Sequence, residues 1–231
     1  MKRPFGFRAQ VRAYVNFVEG KKLARIKALA KYPRRGGILF LGDSLTEEFP
    51  FGELLPEFPI VGRGYSGDTA SMLRERLPYT CTPYAPAAVF LQAGINDLQR
   101  GASPEETARS VGEALIAVRK LCPGAKLHLL ALYPVNCSSE KFSLFRPKAF
   151  SKREALTLIS RTNTLLREEA AARGAEFHDF GDVLRDGGGE LREEFSCDGL
   201  HLTVEGYHSL SEALRPALAH YQQGSDQEGS K

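Results

Sequence analysis

No stretch of this chain is apolar for long enough to cross a membrane, and its four cysteines (Cys81, Cys122, Cys137, Cys197) form no C-x-x-C pair. The first absence excludes a spanning helix. The second removes the usual sign of a zinc ribbon or redox dithiol, and a chain of 231 residues can build its own core without a disulfide framework. Charge of one sign is also lacking. The net charge is +3, and over the whole chain basic residues are interleaved with acidic ones, which speaks against a nucleic-acid footprint. Arg8 and Arg12 interrupt any apolar stretch after Met1-Lys2-Arg3, so no secretory signal is visible and the cytoplasm is the expected location. No internal repeat or interdomain linker stands out.

What is there is an ordinary globular composition, 42% hydrophobic and 26% charged, at a length that favours a single domain. Residues 8–31 carry spaced apolar positions among basic ones (Val11, Tyr14, Val15, Val18, Leu23, Ile26, Leu29), the pattern of an amphipathic helix ending before Pro33. Residues 1–35 thus read as a helical extension packed on a domain at 36–221, and residues 222–231 as a polar, disordered tail. Strand-like runs occur at Ile38–Leu41, Ile60–Gly62, Ala88–Leu91, Lys126–Leu132 and Ala175–His178. Capping boxes open helices at Ser103-Pro104-Glu105-Glu106 and at Ser151-Lys152-Arg153-Glu154, the latter stopping at Gly174. Thr203 can cap a last helix that Pro216 should bend or shorten. Strands alternating with helices predict an α/β fold, a three-layer sandwich around a mostly parallel five-stranded sheet.

Four short segments fall at strand ends or in the loops beyond them: Gly42-Asp43-Ser44, Gly64-Tyr65-Ser66-Gly67-Asp68, Gly94-Ile95-Asn96-Asp97 and Asp198-Gly199-Leu200-His201. In a parallel sheet such segments converge on one edge. Their chemistry is complementary. Ser44 is a candidate nucleophile, His201 a base for its proton, and Asp198 the carboxylate that orients the imidazole. Gly67, having no side chain, can bring its N–H to a substrate oxyanion, and Asn96 can present an amide to the same oxygen. With the Ser44 N–H that makes three donors.

Each segment has a plainer reading. Gly-Asp-Ser is often a mere turn, and Asn96-Asp97 alone reads as a turn pair. Gly62-x-Gly64-x-x-Gly67 matches a dinucleotide fingerprint but sits on the second strand unit, and the next strand ends without the ribose-binding acid. Cys197 has no second ligand pair nearby, so no metal is expected. His128 reads as a core histidine, and His178 beside Asp179 is a rival base. Asp43 and Asp68 read as loop braces accepting backbone N–H bonds. Phe142, Phe145 and Arg146, with Phe150, follow the fourth strand and form either an acyl wall or part of the core; with Asp43 they are the candidate substrate-facing residues.

These four blocks, in this order from Gly42 to Tyr207, resemble the SGNH hydrolases, the GDSL esterase/lipase family, and most of all its compact platelet-activating-factor-acetylhydrolase-like esterases. Gly62 stands where relatives often carry asparagine, a change expected to loosen the turn entering the second block. The resemblance implies a flavodoxin-like fold, a shallow open site, an acyl-serine intermediate and no metal or organic cofactor. The expected activity is hydrolysis of short-chain carboxylic esters, acetyl above all, of sugars or other small alcohols. A lysophospholipase or thioesterase on longer acyl chains is the alternative, followed by an acyltransferase or a non-catalytic binding protein on the same fold. The partner is then a small-molecule ester, with no nucleic acid and no stable membrane insertion; a homodimer stays open.

Overall fold

The computed structural model describes residues 6–139 and 152–221. Its centre is a sheet of five parallel strands, β1 (Ile38–Gly42), β2 (Ile60–Gly64), β3 (Ala88–Leu91), β4 (Lys126–Leu130) and β5 (Glu176–His178), in the order β2-β1-β3-β4-β5. β1 and β3 lie side by side in the middle, with Ile38 opposite Ala88 and Leu41 opposite Leu91, and every residue of both is buried. That burial on two faces is why they read as unbroken apolar runs rather than alternating ones.

Alternate side chains go to opposite faces of the strands. Leu39, Leu41, Val89, Leu91, Leu127 and Leu129 face three helices, α4 (Ala70–Thr80), α6 (Pro104–Leu121) and α7 (Lys152–Ala172). Ile38, Phe40, Ala88, Phe90 and Leu130 face α8 (Val204–Leu218), whose Leu210, Leu214 and Leu218 are fully buried. The result is the expected three-layer α/β/α sandwich. The remaining helices are α1 (Gly6–Leu29) and the one-turn pieces α2 (Ser44–Glu47), α3 (Phe51–Leu54) and α5 (Ile95–Gln99). Among the described residues no helix is long and apolar enough to cross a membrane.

Local chemistry sets the helix ends. The Ser103 hydroxyl and the Glu106 side chain form a reciprocal capping box at α6, and the Thr203 hydroxyl accepts the Gly206 N–H at α8. α7 stops just before Gly174, which sits at φ +62. The predicted capping box at Ser151 falls outside the described residues, as does the tail 222–231.

Pro216 lies inside α8, and the α-helix stops two residues later at Leu218, passing into a 3-10 turn at Ala219–Tyr221, the shortening expected of it. Other expectations are corrected. β4 ends at Leu130 rather than Leu132. β1 and β2 each run on to include a motif glycine, Gly42 and Gly64, which are paired in register. Gly62 therefore lies within β2 opposite Phe40, not in a turn, and a Cβ there would meet the Phe51 ring at 2.9 Å. The glycine seats an aromatic ring instead of loosening a loop.

Candidate active site

At the end of β1 the chain turns directly into α2. Asp43 is the N-cap, its Oδ1 accepting the Leu45 N–H at 3.0 Å, and Ser44 is the first helical residue. An N–H at that position has no acceptor within its own helix, so the turn leaves the Ser44 N–H available beside its own hydroxyl. The Tyr207 hydroxyl donates to the Leu45 carbonyl at 3.0 Å and ties this turn to α8.

The Ser44 Oγ lies 2.9 Å from His201 Nε2, and His201 Nδ1 lies 2.6 Å from Asp198 Oδ2. Serine and histidine are separated by 157 residues, and the parallel topology closes that gap by placing both at the carboxyl edge of the sheet. The loop that carries the pair is tightly closed. Asp198 Oδ1 accepts the N–H groups of Leu200 at 2.9 Å and His201 at 2.8 Å. The Gly199 N–H donates to the Ser196 hydroxyl at 2.6 Å, and the Cys197 N–H donates to the His201 carbonyl at 2.9 Å. Burial works to raise the Asp198 pKa, but the His201 N–H, the imidazole and the Leu200 N–H together hold it below the usual carboxylate value. Asp198 thus stays ionised where the imidazole needs a counter-charge.

The other two blocks reach the same edge. Gly67 sits at φ +78, a left-handed conformation that a side chain would strain, and a Cβ there would meet nothing within 4 Å. The need for glycine is thus conformational rather than steric. The Asn96 amide Nδ2 donates to the Asp68 carbonyl at 3.0 Å and, more weakly, to Asp43 Oδ2 at 3.3 Å. One amide N–H is therefore committed to orienting the group, and the other lies toward the nucleophile turn.

Three buried carboxylates surround Asn96. Burial pushes Asp43 up to about 6, against the pull of the Leu45 N–H and His201. Burial also pushes Asp68 up to about 7 despite the Arg76 guanidinium 2.6 Å away, and it raises Asp97, which caps α4 by accepting the Ala70 N–H at 3.0 Å. Asp43 braces its loop through a backbone N–H as expected. Asp68 is held by an arginine instead, with its backbone carbonyl holding Asn96.

The rival base is elsewhere. His178 Nε2 is 2.9 Å from His128 Nδ1, and the other ring nitrogen of His128 is 2.9 Å from the Tyr221 hydroxyl. With Glu176 these two histidines are the one group among the described residues with metal-ligand proximity, their ligand atoms within 4.8 Å of one another. Both ring nitrogens of His128 are already hydrogen-bonded, and burial, with His178 beside it, lowers its pKa to about 4. His128 is the hydrogen-bonded core histidine anticipated from sequence. The candidate substrate-facing residues Phe142, Phe145 and Arg146 lie outside the described residues.

Sequence reasoning missed the braces. Arg100 donates to the Gly67 carbonyl at 2.9 Å, and Glu47 accepts the Ser66 N–H at 2.7 Å and its hydroxyl at 2.5 Å. Glu47 pairs in turn with Lys22 of α1. Glu47 had a faint signal in its place one helical turn after Ser44; Arg100 had none.

The model of the GDSL-like lipase/acylhydrolase family matches residues 40–208, a span that includes all four blocks. No curated protein sequence matches the chain. Among solved structures, a candidate platelet activating factor from Streptococcus pneumonia is similar at 28% identity and TM-score 0.80, over 91% of this chain and 99% of that one. A candidate acylhydrolase from Bacteroides fragilis is similar at 20% identity and TM-score 0.71, over 87% and 97%. The carbohydrate acetylesterase Est24 from Sinorhizobium meliloti shares the fold at 19% identity and TM-score 0.65, over 80% and 99%. With a family match over most of its length, the chain belongs to the GDSL-like lipase/acylhydrolase family and is a carboxylic ester hydrolase.

Proposed function

We propose that this enzyme cleaves short-chain esters, acetyl esters of sugars or other small alcohols foremost, through an acyl intermediate on Ser44. The observation that carries the reading is the unbroken line from Ser44 Oγ to His201 Nε2 at 2.9 Å and from His201 Nδ1 to Asp198 at 2.6 Å. A serine hydroxyl is a weak nucleophile until a base takes its proton as the bond to carbon forms.

The Ser44 Oγ attacks the ester carbonyl while His201 Nε2 takes the hydroxyl proton and Asp198 steadies the imidazolium. Negative charge gathers on the former carbonyl oxygen, and the N–H groups of Ser44 and Gly67 and the Asn96 amide are assigned to receive it. Each such donor is worth about 3–4 kcal/mol in the transition state. The carbon–alkoxide bond then breaks, His201 returns its proton to the departing alcohol, and the acyl group remains on Ser44. Water, deprotonated by the same histidine, attacks the acyl carbon and releases the acid, restoring the serine.

The preference for a short acyl group rests on likeness of fold. The name of Est24 assigns carbohydrate deacetylation to one protein of this fold. A panel of p-nitrophenyl esters from two-carbon to twelve-carbon, run on wild type and Ser44→Ala, tests the reading. Turnover is expected to peak at the shortest acyl group and vanish in the variant; activity rising steadily with chain length overturns the acetyl preference.

A further inference from the structure

The interleaving of charge that holds for the chain as a whole fails at its start. Residues 1–35 contain eleven lysines and arginines against the single acid Glu19, a net +10 in a chain whose total is +3. The rest of the protein is therefore net −7, so the positive charge is concentrated in the segment that contains α1.

α1 also has two differently occupied faces. On the inward face Ile26 is buried, and Glu19, Lys22 and Leu23 are half-buried. The opposite face carries Tyr14, Phe17, Val18 and Leu29, continued by Tyr32, at 68%, 57%, 40%, 38% and 82% exposure. Lys21 and Arg25, both exposed, stand between them at helical spacing. Of the eight large apolar side chains exposed among the described residues, these are five. An outward stripe of aromatic and aliphatic groups studded with cations does not fit a helix that merely packs on its own domain.

We propose that this outward face of α1 docks on the surface of an anionic lipid bilayer. Rings and aliphatic side chains of this kind settle at the boundary between headgroups and acyl chains, while lysine and arginine stems reach past them to anionic headgroups. Charge decides between occupants. A second copy pairing α1 with α1 would bring two +10 segments together, whereas an anionic bilayer neutralises them. The apolar stripe decides against nucleic acid, which would use the cations and leave Phe17, Val18 and Leu29 in water.

Docking here bears on the enzyme. The Tyr65 hydroxyl donates to the Glu19 carbonyl at 3.1 Å, and Lys22 pairs with Glu47, which holds Ser66 next to Gly67. The helix that meets the bilayer is thus bonded to the loop bearing an oxyanion donor, so docking holds the site beside the membrane surface. Adsorption by itself needs no turnover, and the docking inference stands apart from the ester-hydrolase reading.

The test is co-sedimentation of the full chain with phosphatidylcholine vesicles with and without phosphatidylglycerol. Binding to the anionic vesicles is expected to exceed that to the neutral ones by at least about tenfold and to weaken with salt. Lys21→Glu with Arg25→Glu should reduce it by at least about tenfold, and Phe17→Ser with Val18→Ser should reduce it as well, with thermal melting unchanged. Tyr32→Ser, at a side chain with almost no packing to lose, repeats the apolar test where folding is not at risk. Equal affinity for both vesicle types, or binding untouched by the apolar variants, overturns the proposal. So does light scattering that finds a dimer which Phe17→Ser with Val18→Ser separates, because a second copy then covers this face.

Discussion

Asn96 and Asp43 are joined by a long hydrogen bond, amide Nδ2 to carboxylate Oδ2 at 3.3 Å, across 53 residues of sequence. The shorter bond of the same nitrogen, to the Asp68 carbonyl, fixes where the amide points. In the proposed reaction, the weak one is the bond that the oxyanion replaces. Asn96→Ala is therefore expected to lower kcat by about 10²–10³ with a much smaller change in KM, the pattern of a contact made mainly in the transition state. Steady-state kinetics on a soluble acetyl ester reads both constants; a rise in KM alone would show that Asn96 only binds substrate.

Asp198→Asn should keep the loop folded and still cripple catalysis. An amide oxygen can accept the same Leu200 and His201 N–H bonds, but it carries no charge to stabilise the imidazolium. A fall in kcat of about 10⁴ is expected. Full activity would mean that His201 works without its partner.

Asp43 makes a prediction in pH. Burial raises it from 3.8 to about 6, so the folded state favours its uncharged form. The stability this contributes is fully present below pH 3.8 and is lost as pH rises through about 6. The gap between those two values corresponds to roughly 3 kcal/mol. Asp43→Asn has no such titration, so its unfolding free energy should gain on wild type by an amount on the order of 2–3 kcal/mol between pH 4 and pH 8. The lowered Asp198 is present in both proteins and cancels in the difference, whereas Asp68, which the Asp43 charge helps to push up, titrates lower in the variant and adds to the gain in the same direction. Denaturant titrations of the two proteins across that range measure it; a difference that does not change with pH removes Asp43 from the account.

His178→Ala separates the two histidine clusters. His178 bonds to His128, not to Ser44, so turnover should stay within about twofold of wild type. Stability should fall by about 1–3 kcal/mol, because His128 Nδ1 is left buried without that partner. Loss of turnover in a folded variant would reinstate His178 as the base.

The legible part of this molecule was what burial and backbone geometry write locally. β1 and β3 were readable to within a residue because a strand covered on both faces has nothing but apolar side chains. The meeting of Ser44 with His201 and Asp198 was readable because parallel strands deliver their ends to one edge. The one-turn helices α2, α3 and α5 were not, since four or five residues are too few for a 3.6-residue period to appear. Arg76 on Asp68 and Arg100 on Gly67 had no signal at all, because each contact is made by folding and obeys no spacing. Gly62 was misread for a related reason: the Phe51 ring that it accommodates is eleven residues away in sequence. The basic character of the N-terminal helix was legible; which of its side chains face outward was not, because that depends on how the helix packs.

The central claim is a covalent bond at Ser44, and trapping it is the most direct measurement. Rapid acid quench during turnover of p-nitrophenyl acetate, followed by peptide mass spectrometry, should find one acetyl group on the peptide containing Ser44. The same quench of Ser44→Ala should find none. Ester hydrolysis at wild-type rate by Ser44→Ala, or an acetyl group resident on another residue at catalytic rate, would contradict the account.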